Sequence, residues 1–214
     1  MKGNHYVIAA LIIAATVIGT LIAYPMLPAR VPMHWNLSGQ IDRYGDKVEI
    51  FIFPALMAGM VALFTALPWL SPRRFEVDDF RDTYLYIMLV IVAFLGYAHA
   101  LTVWIALGHG LDLTRALFGA VFVLLALLGN VLGRVRRNFF IGVRTPWTLA
   151  SEKVWDTTHR FAGKVFVIAG LLGLGLLMVA PALVVVTVIP GAAAVITVLH
   201  SLVIYKRLER RNEL

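Results

Sequence analysis

Residues 161–205 have the sequence FAGKVFVIAGLLGLGLLMVAPALVVVTVIPGAAAVITVLHSLVIY, in which Lys164 and His200 are the basic side chains and no acidic side chain occurs. A helix rises about 1.5 Å per residue and the hydrocarbon core of a bilayer is about 30 Å thick. One helix over this stretch would therefore be about twice as long as a membrane span. A turn near residues 180–182, Ala-Pro-Ala, leaves two halves of full length, whereas a turn at residues 190–191 leaves the second half too short. We predict two spans joined by a tight turn near Pro181.

The composition of the whole chain indicates the same class of protein. Of the 214 residues 60% are hydrophobic and 14% are charged, and the mean hydropathy is +0.84. Soluble domains are about half apolar and about a quarter charged, so this excess excludes a soluble globular domain and intrinsic disorder. Cysteine is absent, which excludes disulfides, thiolate metal sites and cysteine nucleophiles. The net charge of +7 is better explained by lipid headgroups than by nucleic acid.

The hydropathy pattern predicts an all-α integral membrane protein with six transmembrane helices. Four apolar segments precede the hairpin described above: Tyr6–Leu27, Ile50–Leu70, Tyr84–Leu107 and Leu113–Leu132. We expect residues 1–70 to form an N-terminal two-span unit with an outer loop at 28–49. We expect residues 71–214 to form a four-span unit with an inner loop at 133–160.

Basic residues set the expected orientation, because lysine and arginine collect on the cytoplasmic side of a membrane. With six spans, 14 of the 19 lysine and arginine residues lie on one side of the membrane and 3 lie on the other. Arg115 and Lys164 lie beside or within spans and are not counted. The larger group comprises Lys2, Arg73, Arg74, Arg81, Arg134, Arg136, Arg137, Arg144, Lys153, Arg160, Lys206, Arg207, Arg210 and Arg211. The smaller group comprises Arg30, Arg43 and Lys47. This predicts a multi-pass membrane protein with both termini in the cytoplasm.

Small residues spaced four apart are the expected points of contact between helices, because helices in lipid associate through close approach of their backbones. Such residues occur at Ala15, Gly19 and Ala23, at Gly96 and Ala100, and at Gly129 and Gly133. His99 lies centrally in a predicted span, and a lone histidine there is typical of an interhelical hydrogen bond.

The outer loop is long and rich in aromatic, glycine and charged residues, and long loops with such a composition are often functional. Pro28 and Pro32 favour an extended chain, and residues 36–39 and 42–45 indicate turns. One hypothesis is a ligand-binding surface; the alternative is a structural cap with an aromatic anchor. A metal site at His34 with Asp42 or Asp46 has poor support from this spacing. The predicted ligand-binding residues are His34, Trp35, Asn36, Asp42 and Tyr44.

A loop that only sets the orientation of the chain needs positive charge, but the inner loop also contains many other residue types. This composition indicates a packed cytoplasmic feature that binds a partner or closes the bundle. Thr148 or Ser151 can cap a helix with Glu152 in its first turn. This helix would carry Trp155 and His159 on one face and would pair Asp156 with Arg160. It would lie in the membrane interface and bend into the fifth span near Gly163. The predicted partner-binding residues are Asn138, Gly142, Arg144, Thr145, Pro146, Trp147, Glu152, Trp155 and His159.

Two long motifs resemble a known family. The inner motif runs RNFFIGVRTPWTL at residues 137–149, continues with SEKVW at 151–155, and ends with THR at 158–160. It is similar to the signature of the SdpI family of bacterial membrane proteins. The outer motif, PMHWNLSGQIDRYGDK at 32–47, resembles the uncharacterised membrane domain that often precedes that signature.

The resemblance implies a function that the residues alone do not. Founding members of this family confer immunity against a secreted killing peptide, and they hold a cytoplasmic repressor at the membrane when that peptide is present. If this carries over, the outer loop contacts the peptide and the inner loop supports capture of the repressor. Membrane lipids are the remaining partners, and no cofactor is implied.

Two other function classes compete with immunity and signalling. A small transporter or channel for a peptide or lipid-like substrate is the alternative, although no predicted span has a central Asp or Glu, as ion-coupled transport usually requires. A membrane enzyme ranks lowest, because the chain lacks HExxH, GxSxG and Walker motifs and no catalytic residue stands out.

Overall fold

The structure is a computed structural model that describes residues 4–36, 40–70 and 77–214. Lys2, Arg73 and Arg74 of the topology prediction, and Ser38 and Gly39 of a predicted turn, lie outside these residues. The chain divides into two compact units, one of Met1–Thr65 with Leu85–Ala120 and one of Ala66–Tyr84 with Val121–Leu214.

The described residues contain six helices that are long and apolar enough to cross a membrane, which confirms the predicted fold class. Their bounds are α1 Asn4–Ala23, α2 Ile52–Leu70, α3 Arg81–Ala106, α4 Leu113–Leu132, α6 Glu152–Leu176 and α7 Ala182–Glu209. A seventh helix, α5 Pro146–Ala150, is short, and two strands, β1 Arg30–Trp35 and β2 Ile41–Asp46, follow α1.

The outer loop is an antiparallel β-hairpin, which the sequence did not predict. Residues 42–45, predicted as a turn, lie within β2, so that prediction is wrong. The strands are held by packing: Val31 is fully buried in an apolar cluster with Leu27, Ile50 and Ala106. Pro32 is tolerated because each strand of a two-stranded sheet keeps one unpaired edge.

One interhelical contact in this first unit matches the prediction for His99. Its Nε2 lies 2.7 Å from the Thr20 hydroxyl, which also donates to the Thr16 carbonyl at 2.7 Å. Because the Thr20 proton is used on Thr16, His99 donates and the Thr20 oxygen accepts. This bond joins α1 to α3 with both side chains buried.

The second unit contains the predicted hairpin of two spans. Helix α6 ends at Leu176 and α7 begins at Ala182, so the turn lies where Pro181 predicted it, and Pro190 lies inside α7. The rings of Phe161 and His200 stack at 3.9 Å between the two helices.

Helix α6 is continuous from Glu152, so the predicted interfacial helix is not a separate element and the chain does not break at Gly163. This glycine serves close packing instead. A Cβ at Gly163 would lie 2.7 Å from the Gly129 carbonyl oxygen on α4, and a Cβ at Gly129 would lie 2.8 Å from the Val167 nitrogen. The predicted contact at Gly129 is therefore confirmed.

Candidate functional site

The outer hairpin presents its polar side chains to solvent. The His34 Nδ1 lies 2.5 Å from a carboxylate oxygen of Asp42, and both side chains are exposed. Tyr44 is half exposed, Asn36 is exposed and Trp35 is half buried. The structure thus brings His34 and Asp42 together, whereas Asp46 pairs with Arg30 at 3.6 Å.

The base of the hairpin is fixed by a capping arrangement that the sequence analysis missed. The Glu49 carboxylate accepts a hydrogen bond from the Asp46 backbone N–H at 2.8 Å and lies 3.5 Å from the Arg43 guanidinium. Gly45 leaves room for this carboxylate, because a Cβ there would lie 2.5 Å from it and would force the Glu49 side chain to move. The hairpin is therefore held at its base by both packing and hydrogen bonds.

The inner segment, defined here as residues 133–151, begins with a turn organised by Asn138. This side chain donates to the carbonyls of Arg136 and Ile141, each at 2.9 Å. It accepts from the backbone N–H groups of Phe140 and Ile141, each at 2.7 Å. Asn138 is 1% exposed, so all four hydrogen bonds of its amide are made to protein backbone. Its observed role is to shape the turn.

Trp155 and His159, one turn apart on α6, dock the inner segment onto that helix. The Trp155 indole N–H donates to the Val135 carbonyl at 2.7 Å, and the two rings stack at 4.0 Å. His159 accepts from the Val143 N–H through Nε2 at 2.9 Å. Its Nδ1 therefore carries the proton and donates to the Trp155 carbonyl at 2.8 Å. Both side chains are fully buried.

Gly142 allows this docking for two reasons. Its φ of +120° is a backbone conformation that residues with a side chain rarely adopt. A Cβ at this position would also clash with the His159 ring and lie 3.2 Å from the Trp155 ring. The predicted pair on one helix face is thus correct, and its binding partner is the chain's own backbone.

A short capped helix, α5, completes the inner segment. Its N-cap is Thr145, whose hydroxyl accepts from the Thr148 N–H at 3.2 Å, with Pro146 in the first turn. Of the two predicted caps, Ser151 is the N-cap residue of α6, with Glu152 in the first turn, although its side chain makes no cap hydrogen bond. Thr148 is not a cap and lies within α5. A threonine followed by proline is itself a helix-start signal that the sequence analysis passed over.

Helix α5 is fastened to both of its neighbours in this unit. The Thr145 hydroxyl lies 3.1 Å from the hydroxyl of Ser201 on α7. Arg137 donates to the Leu149 carbonyl and to the Glu152 carboxylate, each at 3.3 Å. Ser201 was not among the predicted site residues, because nothing in its local sequence marks it.

The exposed part of the inner segment is smaller than the predicted partner-binding set. Of the predicted residues, Gly142, Arg144 and Pro146 in the segment and Glu152 directly after it are exposed, and Trp147 is half buried. The Arg144 guanidinium donates to the Phe139 carbonyl and lies 5.8 Å from the centre of that ring, which is half exposed. These exposed residues are therefore able to contact a partner directly, whereas the buried residues stabilise the conformation of the segment.

A second ion pair lies near the same segment. Lys153 at the start of α6 pairs with Glu213, and this hydrogen bond lowers the pKa of the Glu213 carboxyl. Asp156 pairs with Arg136 at 3.3 Å, so the predicted pair of Asp156 with Arg160 is replaced by a contact with the inner segment.

Six apolar helices, an exposed polar hairpin and a rigid capped loop define a multi-pass α-helical membrane protein with two structured segments outside its spans. Residues 134–204 match the model of the SdpI/YfhL protein family, and residues 11–58 match a domain of unknown function, DUF1648. The chain thus carries the SdpI family domain preceded by that second domain, which confirms the resemblance drawn from the two motifs.

The chain is also similar to a characterised bacterial protein. It is 28% identical over 172 residues, or 80% of each chain, to "Immunity protein SdpI" of Bacillus subtilis (strain 168). No solved structure matches the chain. The chain is therefore a multi-pass membrane protein homologous to an immunity protein.

Proposed function

We propose that this protein is an SdpI-like immunity protein that protects the cell against a secreted antimicrobial peptide. The observation that carries the proposal is the similarity to an immunity protein over 80% of both chains. The matches to the two family models, at residues 11–58 and 134–204, include the outer hairpin and most of the inner segment. The protein acts without catalysis, by binding the peptide at the membrane surface.

The outer hairpin is the peptide-binding surface in this proposal. It offers an anion–histidine pair at His34 and Asp42 next to the aromatic side chains of Trp35 and Tyr44. An exposed hairpin held on a buried apolar cluster keeps these groups ordered without a ligand, which lowers the entropic cost of binding. Extended peptides also bind readily to the unpaired edge of a β-strand.

The orientation in this proposal follows the positive-inside rule. Both termini and the inner segment face the cytoplasm, and the hairpin faces outward. The exposed residues Arg144 and Phe139 then offer a cation and an aromatic ring to a cytoplasmic repressor, which the protein holds at the membrane when the peptide is bound.

The test of the outer surface is survival of a sensitive bacterial host exposed to the purified peptide. Cells that express the wild-type chain should survive, and His34→Ala and Trp35→Ala should lose protection at equal membrane abundance. Val48→Ala is the matched control, because Val48 is exposed beside the hairpin and belongs to no predicted site. Full protection by both hairpin variants would refute a role of this surface.

The test of the inner surface is recruitment of a fluorescent repressor to the membrane in the presence of the peptide. Arg144→Ala and Phe139→Ala should abolish recruitment while protection persists. Arg134→Ala removes an exposed cation of the same segment and should leave recruitment intact. Recruitment that survives both test variants would assign Arg144 and Phe139 to local structure.

A further inference from the structure

A cleft of about 540 Å³ lies between α4 and α6 in the second unit, at the end of α4 that leads into the inner segment. Its floor is formed where side chains are missing, at Gly129 on α4, at Gly133 directly after α4, and at Gly163 on α6. Gly129 and Gly163 are in backbone contact, whereas a Cβ at Gly133 would lie 3.5 Å from its nearest neighbour. The backbones are therefore in contact at Gly129 and Gly163, whereas the space at Gly133 would hold a methyl group.

Three polar side chains surround this cleft. Arg160 and Lys164 are one helical turn apart on α6, and Asn130 belongs to α4; all three are exposed. Asp156, the acidic side chain one turn before Arg160, pairs with Arg136 instead. Within residues 4–36, 40–70 and 77–214, neither Arg160 nor Lys164 forms an ion pair with a carboxylate. These two cations, which pair with no carboxylate in the described part of the chain, thus lie beside an amide donor.

Lys164 is the more telling of the two cations, because it lies inside the candidate span Glu152–Leu176. Charged side chains within a membrane span are costly and usually have a partner or reach the headgroup region. Beyond Lys164, Val167 and the exposed Ile168 continue the cleft wall as apolar surface. The cleft is therefore cationic at one end and apolar at the other.

We propose that this cleft binds an anionic glycerophospholipid. Its phosphate accepts hydrogen bonds from Arg160 and Lys164, the Asn130 amide donates to its glycerol or headgroup oxygens, and one acyl chain lies along Val167 and Ile168. Basic pockets between helices at a membrane surface bind anionic headgroups, and guanidinium groups bind phosphate with paired hydrogen bonds. The proposal depends on the membrane-spanning class of the protein and is independent of its immunity function.

The experiment measures lipid binding by the full chain in a neutral detergent. Native mass spectrometry after addition of equal amounts of phosphatidylglycerol and phosphatidylcholine should show preferential retention of phosphatidylglycerol by the wild-type chain. A basic group near an anionic lipid contributes about fivefold to affinity, so Arg160→Gln with Lys164→Gln should weaken phosphatidylglycerol binding by roughly 30-fold. Arg160→Lys with Lys164→Arg keeps both charges and should retain most of the preference.

The matched control is Arg207→Gln with Arg210→Gln, which removes two exposed charges from α7 and the tail that follows it. This control should leave the preference intact, and an equal loss in it would assign the effect to overall charge and overturn the proposal. Should the double cleft variant not fold, the single variants Arg160→Gln and Lys164→Gln are measured, and full preference in both would overturn it.

Two further outcomes identify other occupants of the cleft. Stabilisation by millimolar inorganic phosphate equal to that by phosphatidylglycerol would indicate a free-anion site and overturn the lipid assignment. A change in oligomeric state of the double cleft variant, with lipid preference intact, would assign the cleft to a second copy of the chain and would also overturn it.

Discussion

Substitution of Gly163 by alanine should destabilise the second unit, although alanine favours helix formation. In a free helix Gly→Ala gains about 1 kcal/mol. In this structure the new methyl group would lie 2.7 Å from the Gly129 carbonyl oxygen and 3.7 Å from the Gly133 nitrogen. These neighbours are backbone atoms of α4 and of the residue that follows it, and they cannot rotate away, so the two helices must move apart.

The expected size follows from two opposing terms. Overpacking of a well-packed contact costs about 1–3 kcal/mol, and a backbone neighbour places this site at the upper end of that range. Subtracting the gain in helix propensity leaves a net loss of about 1–2 kcal/mol. This contact contributes a larger share of the protein's stability than the same contact would in a soluble protein, because association of helices in lipid depends on close packing at small residues.

The assay is reversible unfolding of the chain in mixed micelles as the mole fraction of a denaturing detergent is raised. Unfolding is monitored by far-UV circular dichroism. Gly175→Ala is the matched control on the same helix, because a Cβ there has no neighbour within 4 Å. The control should equal or exceed the wild-type chain in stability. If Gly163→Ala is as stable as Gly175→Ala, the close approach of α4 and α6 at this glycine is refuted.

Three further experiments test other contacts. Asn138→Ala removes four hydrogen bonds from a buried turn and should cost about 2–4 kcal/mol in the same unfolding assay, with faster proteolysis of the inner segment; unchanged proteolysis would contradict the turn. Gly142→Ala should displace the ring of His159, because the new Cβ clashes with it, and the φ of +120° adds backbone strain. The expected loss is about 1–3 kcal/mol in free energy of unfolding, and the displacement should shift the tryptophan fluorescence. A double-mutant cycle of Thr20→Val with His99→Phe should give a coupling of about 0.6 kcal/mol or more, and additive losses would rule out their hydrogen bond.

The spans could be predicted from sequence because their signal is local. Each is a run of apolar residues long enough for the bilayer, and Pro181 falls where two halves of equal length meet. Gly129 was identified from spacing alone. Its partner Gly163 was predicted as a bend, because no local feature distinguishes a glycine that bends a helix from one that admits a neighbouring backbone.

The outer hairpin could not be predicted because its stability is not local. Residues 30–35 and 41–46 contain a proline and a glycine, both poor in strands, and they lack a regular alternation of apolar and polar residues. The strands exist because Val31 packs on residues that are distant in sequence, Ile50 and Ala106. The local sequence at 42–45 favours a turn, and tertiary packing overrides this local preference.

The inner motif shows why a long signature need not be a long binding surface. Asn138, Trp155 and His159 are the most distinctive members of the motif, and each spends its hydrogen bonds on the chain's own backbone. Substitution of Trp155 would therefore remove its hydrogen bond to the Val135 carbonyl and unfold the segment, whether or not Trp155 contacts a partner. Loss of repressor recruitment in such a variant carries no information about contact, whereas loss in Arg144→Ala at unchanged proteolysis of the segment does. The candidate partner-contact residues of the inner segment are thus Arg144 and Phe139, whose ring centre lies 5.8 Å from the Arg144 guanidinium.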